Sequence, residues 1–215
     1  MTPAEAAARR ARLPRGEGER LRHEILAAAE RLLLETGSEE AVSIRAVADA
    51  VGVSVPSIYR HFPDKQTLLF EVCARHVERL HDTLKAASAT AGNPIEAMRR
   101  CARAYVRYAV ENPEHYRIMF MGRSEVTPTD FDESYLIETS GFSVALRNAH
   151  AALDAGLLRD DLTDAFEVAL AMWAAVHGVA SLAVAKPNLP TPLEQRIETM
   201  LDVVLHGILR EPHAQ

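Results

Sequence analysis

Apolar residues recur every three to four positions along this chain, and they do not alternate over any useful length. That spacing lines one face of an α-helix, so the pattern predicts an all-α fold without strands. The first stripe covers about 20–36, where Leu21, Ile25, Ala29, Leu32 and Leu33 precede a stop at Gly37. Further stripes cover about 64–88 (Leu68, Leu69, Val72, Val77) and 94–111 (Met98, Ala102, Tyr105, Ala109). A short helix after Pro113 holds Tyr116, Met119 and Phe120. A longer one, about 132–155, holds Leu136, Phe142, Ala145, Leu146, Ala149 and Leu153 before Gly156. The last stripe, about 191–209, has Leu193, Ile197, Met200, Leu201, Val204, Leu205 and Ile208 on one side.

The segment at about 163–185 departs from this pattern. It is apolar nearly all round, and much of it is alanine, with Gly178 among them. One face of such a helix would stay wet in a single small domain, so the pattern predicts burial against a second copy of the chain. Together with the 191–209 helix it would form a four-helix dimer interface. His177 and Ser181 inside the run make it a poor membrane span, and no membrane association is expected.

Two short helices fit between Ser43 and Phe62, giving about nine in all. Ser43 can cap the first, whose inward positions are Val47, Ala48 and Val51. Gly52 can take the left-handed conformation that ends a helix, and Val53 plugs the turn. Ser54 can cap the second, with Pro56 in its first turn. Ile58 and Phe62 point inward, leaving Val55, Pro56, Ser57, Tyr59, Arg60 and His61 outward. Asp64 can cap the next helix, beginning at Lys65. This is a helix-turn-helix, a unit that presents a short helix to a DNA major groove.

The residues from Ile25 to Gly37, the 43–65 unit and above all Ser57-Ile58-Tyr59-Arg60-His61-Phe62-Pro63-Asp64-Lys65 resemble the tetracycline-repressor (TetR) family of bacterial transcription regulators. Trp173-Ala-Ala-Val-His177-Gly178 resembles the Trp/His/Gly signature of one of the family's C-terminal domain types. The resemblance implies a flexible arm at 1–19, a helix-turn-helix DNA-binding domain at 20–70, and a ligand-binding and dimerisation domain at 71–215. It implies a homodimeric regulator, a repressor released from a palindromic double-stranded DNA operator by an unidentified small-molecule effector. An activator, or a DNA-binding protein without an effector, is the alternative.

Matched position by position, Tyr59 and His61 would contact phosphates. Val55, Pro56, Ser57 and Arg60 would lie at or near base edges, with Arg60 the candidate for a bidentate contact to guanine, and Ser54 would belong to the same DNA-binding surface. Val55 stands where many relatives carry a polar residue. Arg45 and Lys65 would bind phosphates. Arg9, Arg10 and Arg12 of the arm could reach phosphates or an adjacent minor groove, as arms of other DNA-binding domains do. A pocket is implied among Tyr105, Tyr116, Met119, Phe120, Phe142, Met172, Trp173 and His177.

Charge modifies this picture in one respect. The net charge is −6, which argues against nucleic acid until its distribution is considered. Residues 1–85 carry 13 cations and 13 carboxylates, and residues 86–215 carry all of the excess acid. Local charge near the phosphates governs the electrostatic part of DNA affinity. The two cysteines, Cys73 and Cys101, are too few for a disulfide framework and fit a reducing compartment. The first residues lack an apolar stretch, so a cytoplasmic location is expected.

No enzymatic activity, cofactor or metal is expected. Glu78-x-x-His81 has the spacing of di-iron carboxylate bundles, but those sites need two copies and two further carboxylates. Asp202 and His206 fall on the polar face of their helix. Catalytic triads and phosphate loops have no counterpart in the sequence.

Overall fold

The computed structural model describes residues 17–120 and 141–210. Among these residues there are nine helices and no strand. In chain order they are α1 (Glu17–Thr36), α2 (Ile44–Val51), α3 (Val55–Tyr59), α4 (Lys65–Ala89), α5 (Pro94–Glu111), α6 (Pro113–Phe120), α7 (Gly141–Asp154), α8 (Ala165–Ala185) and α9 (Leu193–Ile208). One isolated antiparallel bridge joins Leu158 to Leu209. The expected all-α architecture is therefore present.

The chain divides into two compact units: among the described residues the first takes in 17–76 and 117–120, and the second 77–116 and 141–210. In the first unit, α1, α2, α3 and the start of α4 close over one core. Ile25, Ala29, Val47, Ile58, Phe62 and Leu68 are fully buried there. α1 begins at Glu17, inside the stretch expected to be an arm, and Glu17 and Glu19 put negative charge on its first turn. Arg9, Arg10 and Arg12 lie outside the described residues.

The turn between α2 and α3 forms as its residues require. Ser43 Oγ accepts the Ala46 N–H at 3.1 Å. Gly52 takes φ +73°, and the N–H groups of Gly52 and Val53 both reach the Ala48 carbonyl, at 2.9 and 3.0 Å. This is a left-handed helix stop of the Schellman kind, which a residue with a Cβ adopts only under strain. Ser54 makes no side-chain cap, contrary to expectation. Its backbone carbonyl accepts the Ser57 N–H at 2.8 Å, and its hydroxyl faces Ser57 Oγ at 3.0 Å. Asp64 does cap α4, its Oδ1 accepting the Thr67 N–H at 2.7 Å. That bond holds the Asp64 carboxyl below the usual carboxylate range.

In the second unit α8 packs against α5, α7 and α9. α7 is described from Gly141, so the expected start at 132, with Leu136, lies outside the described residues, as does the expected loop at 121–131. Asn93 caps α5 through the Glu96 N–H at 2.9 Å, and Asp164 caps α8 through the Phe166 N–H at 2.8 Å. The stripe on α9 is narrower than its sequence suggests: Ile197, Leu201 and Leu205 are fully buried, while Leu193, Met200, Val204 and Ile208 are half-buried.

A row of ion pairs sets the register of α9 against α5. Arg99, Arg103 and Arg107 meet Asp202, Glu198 and Glu194, two antiparallel i, i+4 series. The central pair is bidentate, at 2.7 and 2.9 Å. Exposed pairs contribute only about 0–1 kcal/mol each, so their role is alignment more than stability. α8 has the length and composition of a membrane span. Three neighbouring helices cover one side of it, and an outward strip runs through Leu170, Ala171, Ala174, Gly178 and Leu182.

Gly52→Val tests the turn. Left-handed backbone at a β-branched residue should cost roughly 1–2 kcal/mol. Urea unfolding should show the midpoint shifted down at constant slope, whereas an unchanged midpoint would show the turn to be tolerant.

Candidate nucleic-acid interface and ligand cavity

The outward surface of the helix-turn-helix follows from what the core takes. Ile58 and Phe62, four positions apart, are both fully buried. Together they hold down a helix of only five residues. Tyr59 is then 49% exposed, with Pro56 and Arg60 exposed and Ser57 and His61 half-exposed beside it. Val55 differs from expectation: it is half-buried and packs against the core, because the first residue of so short a helix still faces the turn. Only part of its side chain is left for outward contact.

Ser54, Ser57 and Arg60 form one row at spacings of three. Arg60 Nη2 donates to Ser57 Oγ at 3.1 Å, folding the guanidinium along the helix. Arg45 is exposed on α2, and Lys65 is half-exposed at the start of α4. Arg22 of α1 stands over the Phe62 ring, its guanidinium carbon 5.1 Å from the centroid, and pairs with Glu71 of α4. That contact clamps α1 to α4 across the residue that anchors α3. Partial burial, together with the charges of Arg60 and Arg22, lowers the His61 pKa below the ordinary histidine value. An approaching phosphate would oppose those charges and favour the protonated ring.

The second unit contains a cavity of about 50 Å³ between α4, α5, α7 and α8. Its wall is chiefly apolar, with Leu84, Met98, Met172, Trp173 and Val176 among the lining residues. The lining groups able to hydrogen-bond are Cys101, Tyr105, Asn148 and the indole N–H of Trp173. Asn148 Oδ1 accepts the Ser88 hydroxyl at 2.9 Å, and Cys101 Sγ donates to the Leu84 carbonyl at 3.3 Å. Burial raises the Cys101 thiol pKa, and raises that of Cys73 to about 11, so both thiols stay protonated at neutral pH.

Beside the cavity, two tyrosines converge on one imidazole. The Tyr105 hydroxyl lies 3.0 Å from His177 Nδ1, and the Tyr116 hydroxyl 2.9 Å from the same atom. Tyr116 also reaches Ser181 Oγ at 3.1 Å. Burial lowers the His177 pKa and raises those of both tyrosines, so all three groups are neutral near pH 7. Trp173 packs on the imidazole with ring centroids 5.6 Å apart.

Of the residues expected in a pocket, Tyr105, Met172 and Trp173 line this one, and Tyr116 and His177 bond to it from behind. Phe142 is buried edge-on to Trp173 and Phe166, as core. Met119 and Phe120 are half-buried and belong with the first unit, not with the cavity wall. Leu84, Cys101 and Asn148 were not anticipated. Asn148 had one readable signal, a polar residue between the inward Ala145 and Ala149.

Comparison with known proteins adds to the geometry. A family model described as bacterial regulatory proteins, tetR family, matches residues 25–72, and one described as tetracyclin repressor-like, C-terminal domain, matches residues 98–204. The transcriptional activator FasR of Mycolicibacterium smegmatis is 31% identical over 118 residues, 55% of this chain and 52% of the relative. The transcriptional repressor KstR of Rhodococcus jostii is 41% identical over 66 residues, 31% of this chain and 30% of the relative. The matched segments thus span about half the length, or less, of these curated relatives. A solved protein of unknown function from Rhodococcus sp. RHA1 superposes with a TM-score of 0.75 at 26% identity, covering 88% of this chain and 96% of that one. The regulator PfmR from Thermus thermophilus shares the fold, with a TM-score of 0.62 at 24% identity, covering 86% and 99%.

The Tyr–His–Tyr cluster predicts a pH dependence. The folded-state pKa of His177 lies below its unfolded value of about 6.5, so the unfolded chain binds the proton first. The stabilisation is complete above that pH and is lost as the pH falls below it. Urea unfolding followed by the fluorescence of Trp173, the single tryptophan, should show the advantage of wild type over His177→Gln shrinking on acidification. An advantage that grows towards low pH would contradict a neutral imidazole.

Proposed function

We infer that this chain, which belongs to the tetR family of bacterial regulatory proteins, works as a homodimeric, ligand-responsive repressor that leaves a palindromic operator when a small molecule occupies the second unit. The observation that carries this reading is the exposed row Ser54–Ser57–Arg60 with Tyr59 beside it, on a helix whose opposite side is fully buried. Arg60 released from Ser57 would present a guanidinium fork to a guanine edge, and Tyr59, His61, Arg45 and Lys65 would meet phosphates on either side.

The second copy would dock on the outward strip of α8 and on α9. Leu170 and Leu182 of α8 are 42% and 53% exposed, and Val203 of α9 is 69% exposed. A Cβ added at Gly178 would meet nothing within 4 Å, leaving room for another helix to approach. Paired about a two-fold axis, two recognition helices would enter successive major grooves about 34–36 Å apart.

α4 supplies the coupling. It is continuous over 25 residues, with Leu68 and Leu69 in the core of the first unit and Leu84 in the cavity wall. A ligand that displaces Leu84 would act on the helix whose first turns hold Lys65 and pack behind the recognition helix. Ligand and operator affinities would then be reciprocally linked. A second reading, activation, has one observation in its favour: the relative matched over 118 residues is named an activator. The soluble, cytoplasmic location proper to such a regulator belongs to the same proposal.

The interface assignment is tested by titrating operator variants. Arg60→Ala should cost roughly 1–3 kcal/mol and relax discrimination at one base-pair position. Lys65→Ala should weaken all sequences alike and reduce the salt slope by about 1. Unchanged discrimination by Arg60→Ala would remove the proposed base contact.

A further inference from the structure

The cavity of the second unit carries a chemical preference of its own. Among the described residues none of its lining side chains is charged. The imidazole behind it is held neutral by burial. Arg147, on the same helix as Asn148, is exposed to solvent, with its guanidinium 3.5 Å from Ser143 Oγ. A carboxylate in this cavity would lose its water and find no cation among the lining side chains, a heavy penalty, whereas an uncharged oxygen needs only one hydrogen bond.

The donor for that bond is identifiable. A neutral imidazole nitrogen offers either one in-plane lone pair or one hydrogen, so Nδ1 of His177 serves one of its two tyrosines at a time. Tyr116 has alternatives, in Ser181 Oγ at 3.1 Å and the His177 carbonyl at 3.4 Å, but it is itself fully buried away from the cavity lining. Tyr105 is the one of the pair in the cavity wall. With Tyr116 holding Nδ1, the Tyr105 O–H can turn to a ligand oxygen without leaving the imidazole unserved. The side-chain amide of Asn148 is already engaged, by Ser88 at 2.9 Å and by Cys101 Sγ at 3.4 Å.

We propose that this cavity takes an uncharged, largely apolar molecule bearing a carbonyl-type oxygen, which accepts a hydrogen bond from Tyr105, and that it discriminates against carboxylates. The inference rests on reading the second unit as the effector-binding part. It also indicates how occupancy is accommodated. At about 50 Å³ the cavity is smaller than one that holds benzene, on the order of 150 Å³, so a ligand must widen it. Met98 and Met172 in its wall are unbranched and can change rotamer. α7 approaches α4 closely at Gly141, where an added Cβ would lie 2.9 Å from Leu84 Cδ1, the mobile end of that side chain. Widening on that side displaces the Leu84 side chain first.

The test uses the full chain and three probes built on a ten-carbon chain: methyl decanoate, decanoate and decane. Trp173, the single tryptophan, lines the cavity and reports occupancy by fluorescence. At about pH 8, where a free carboxylate is ionised, methyl decanoate should bind saturably and at least about tenfold more tightly than decanoate. Tyr105→Phe should weaken the ester roughly fivefold and leave decane unchanged. Decanoate binding as tightly as the ester would overturn the proposal, and so would no response of Trp173 to any probe. Equal loss of ester and decane in Tyr105→Phe would remove the hydrogen bond from it. The underlying reading fails separately: an ester that occupies the cavity but leaves operator affinity unchanged would show a binding site without regulation.

Discussion

The structure of the first unit depends on one constraint, the burial of Ile58 and Phe62. A five-residue helix has no stability of its own in water, since forming its first turn fixes several dihedrals for a single hydrogen bond. Burying the two side chains contributes about 1.5–3 kcal/mol each, enough to hold α3 against that deficit. Everything on the outward side follows, because fixing 58 and 62 leaves no freedom in where 57, 59 and 60 point. Arg22 reinforces the arrangement by covering the Phe62 ring while pairing with Glu71. The outward surface of α3 is thus set from behind, by the core it rests on.

The second unit solves a different problem. Its central helix is apolar nearly all round, so burial alone does not fix its rotation. Polar contacts supply the missing specificity. Tyr105, Tyr116 and Ser181 gather about His177 on one side of α8, and the arginine row of α5 sets the register of α9. The outward strip is left with small residues, leucines and one open glycine, a surface suited to a second copy of itself. α4 runs without a break through 25 residues, from Lys65 to Ala89.

How much of this could be read in the sequence depended on the range of the interactions involved. The helix stop at Gly52, the caps at Ser43 and Asp64, and the inward pair Ile58 and Phe62 all arise within a few residues, and each is where the pattern places it. Ser54 and Val55 differ because a helix this short is mostly terminus: the backbone of Ser54 makes the turn, and Val55 rests on the core. The cavity was legible only in part. Tyr105 and His177 are 72 positions apart, and Leu84 and Asn148 join them only through packing of four helices. Arg99, Arg103 and Arg107, like Glu194, Glu198 and Asp202, are plain i, i+4 rows in the sequence. Which row faces which depends on an antiparallel alignment that no single helix specifies.

The central claim is that a buried core aims a specific reading surface at DNA in two symmetric copies. The most direct test is selection of genomic fragments by the purified protein, repeated at high salt. The account predicts one palindromic site of roughly 15–20 base pairs that survives the salt challenge. Binding that vanishes with salt and shows no sequence preference would contradict it.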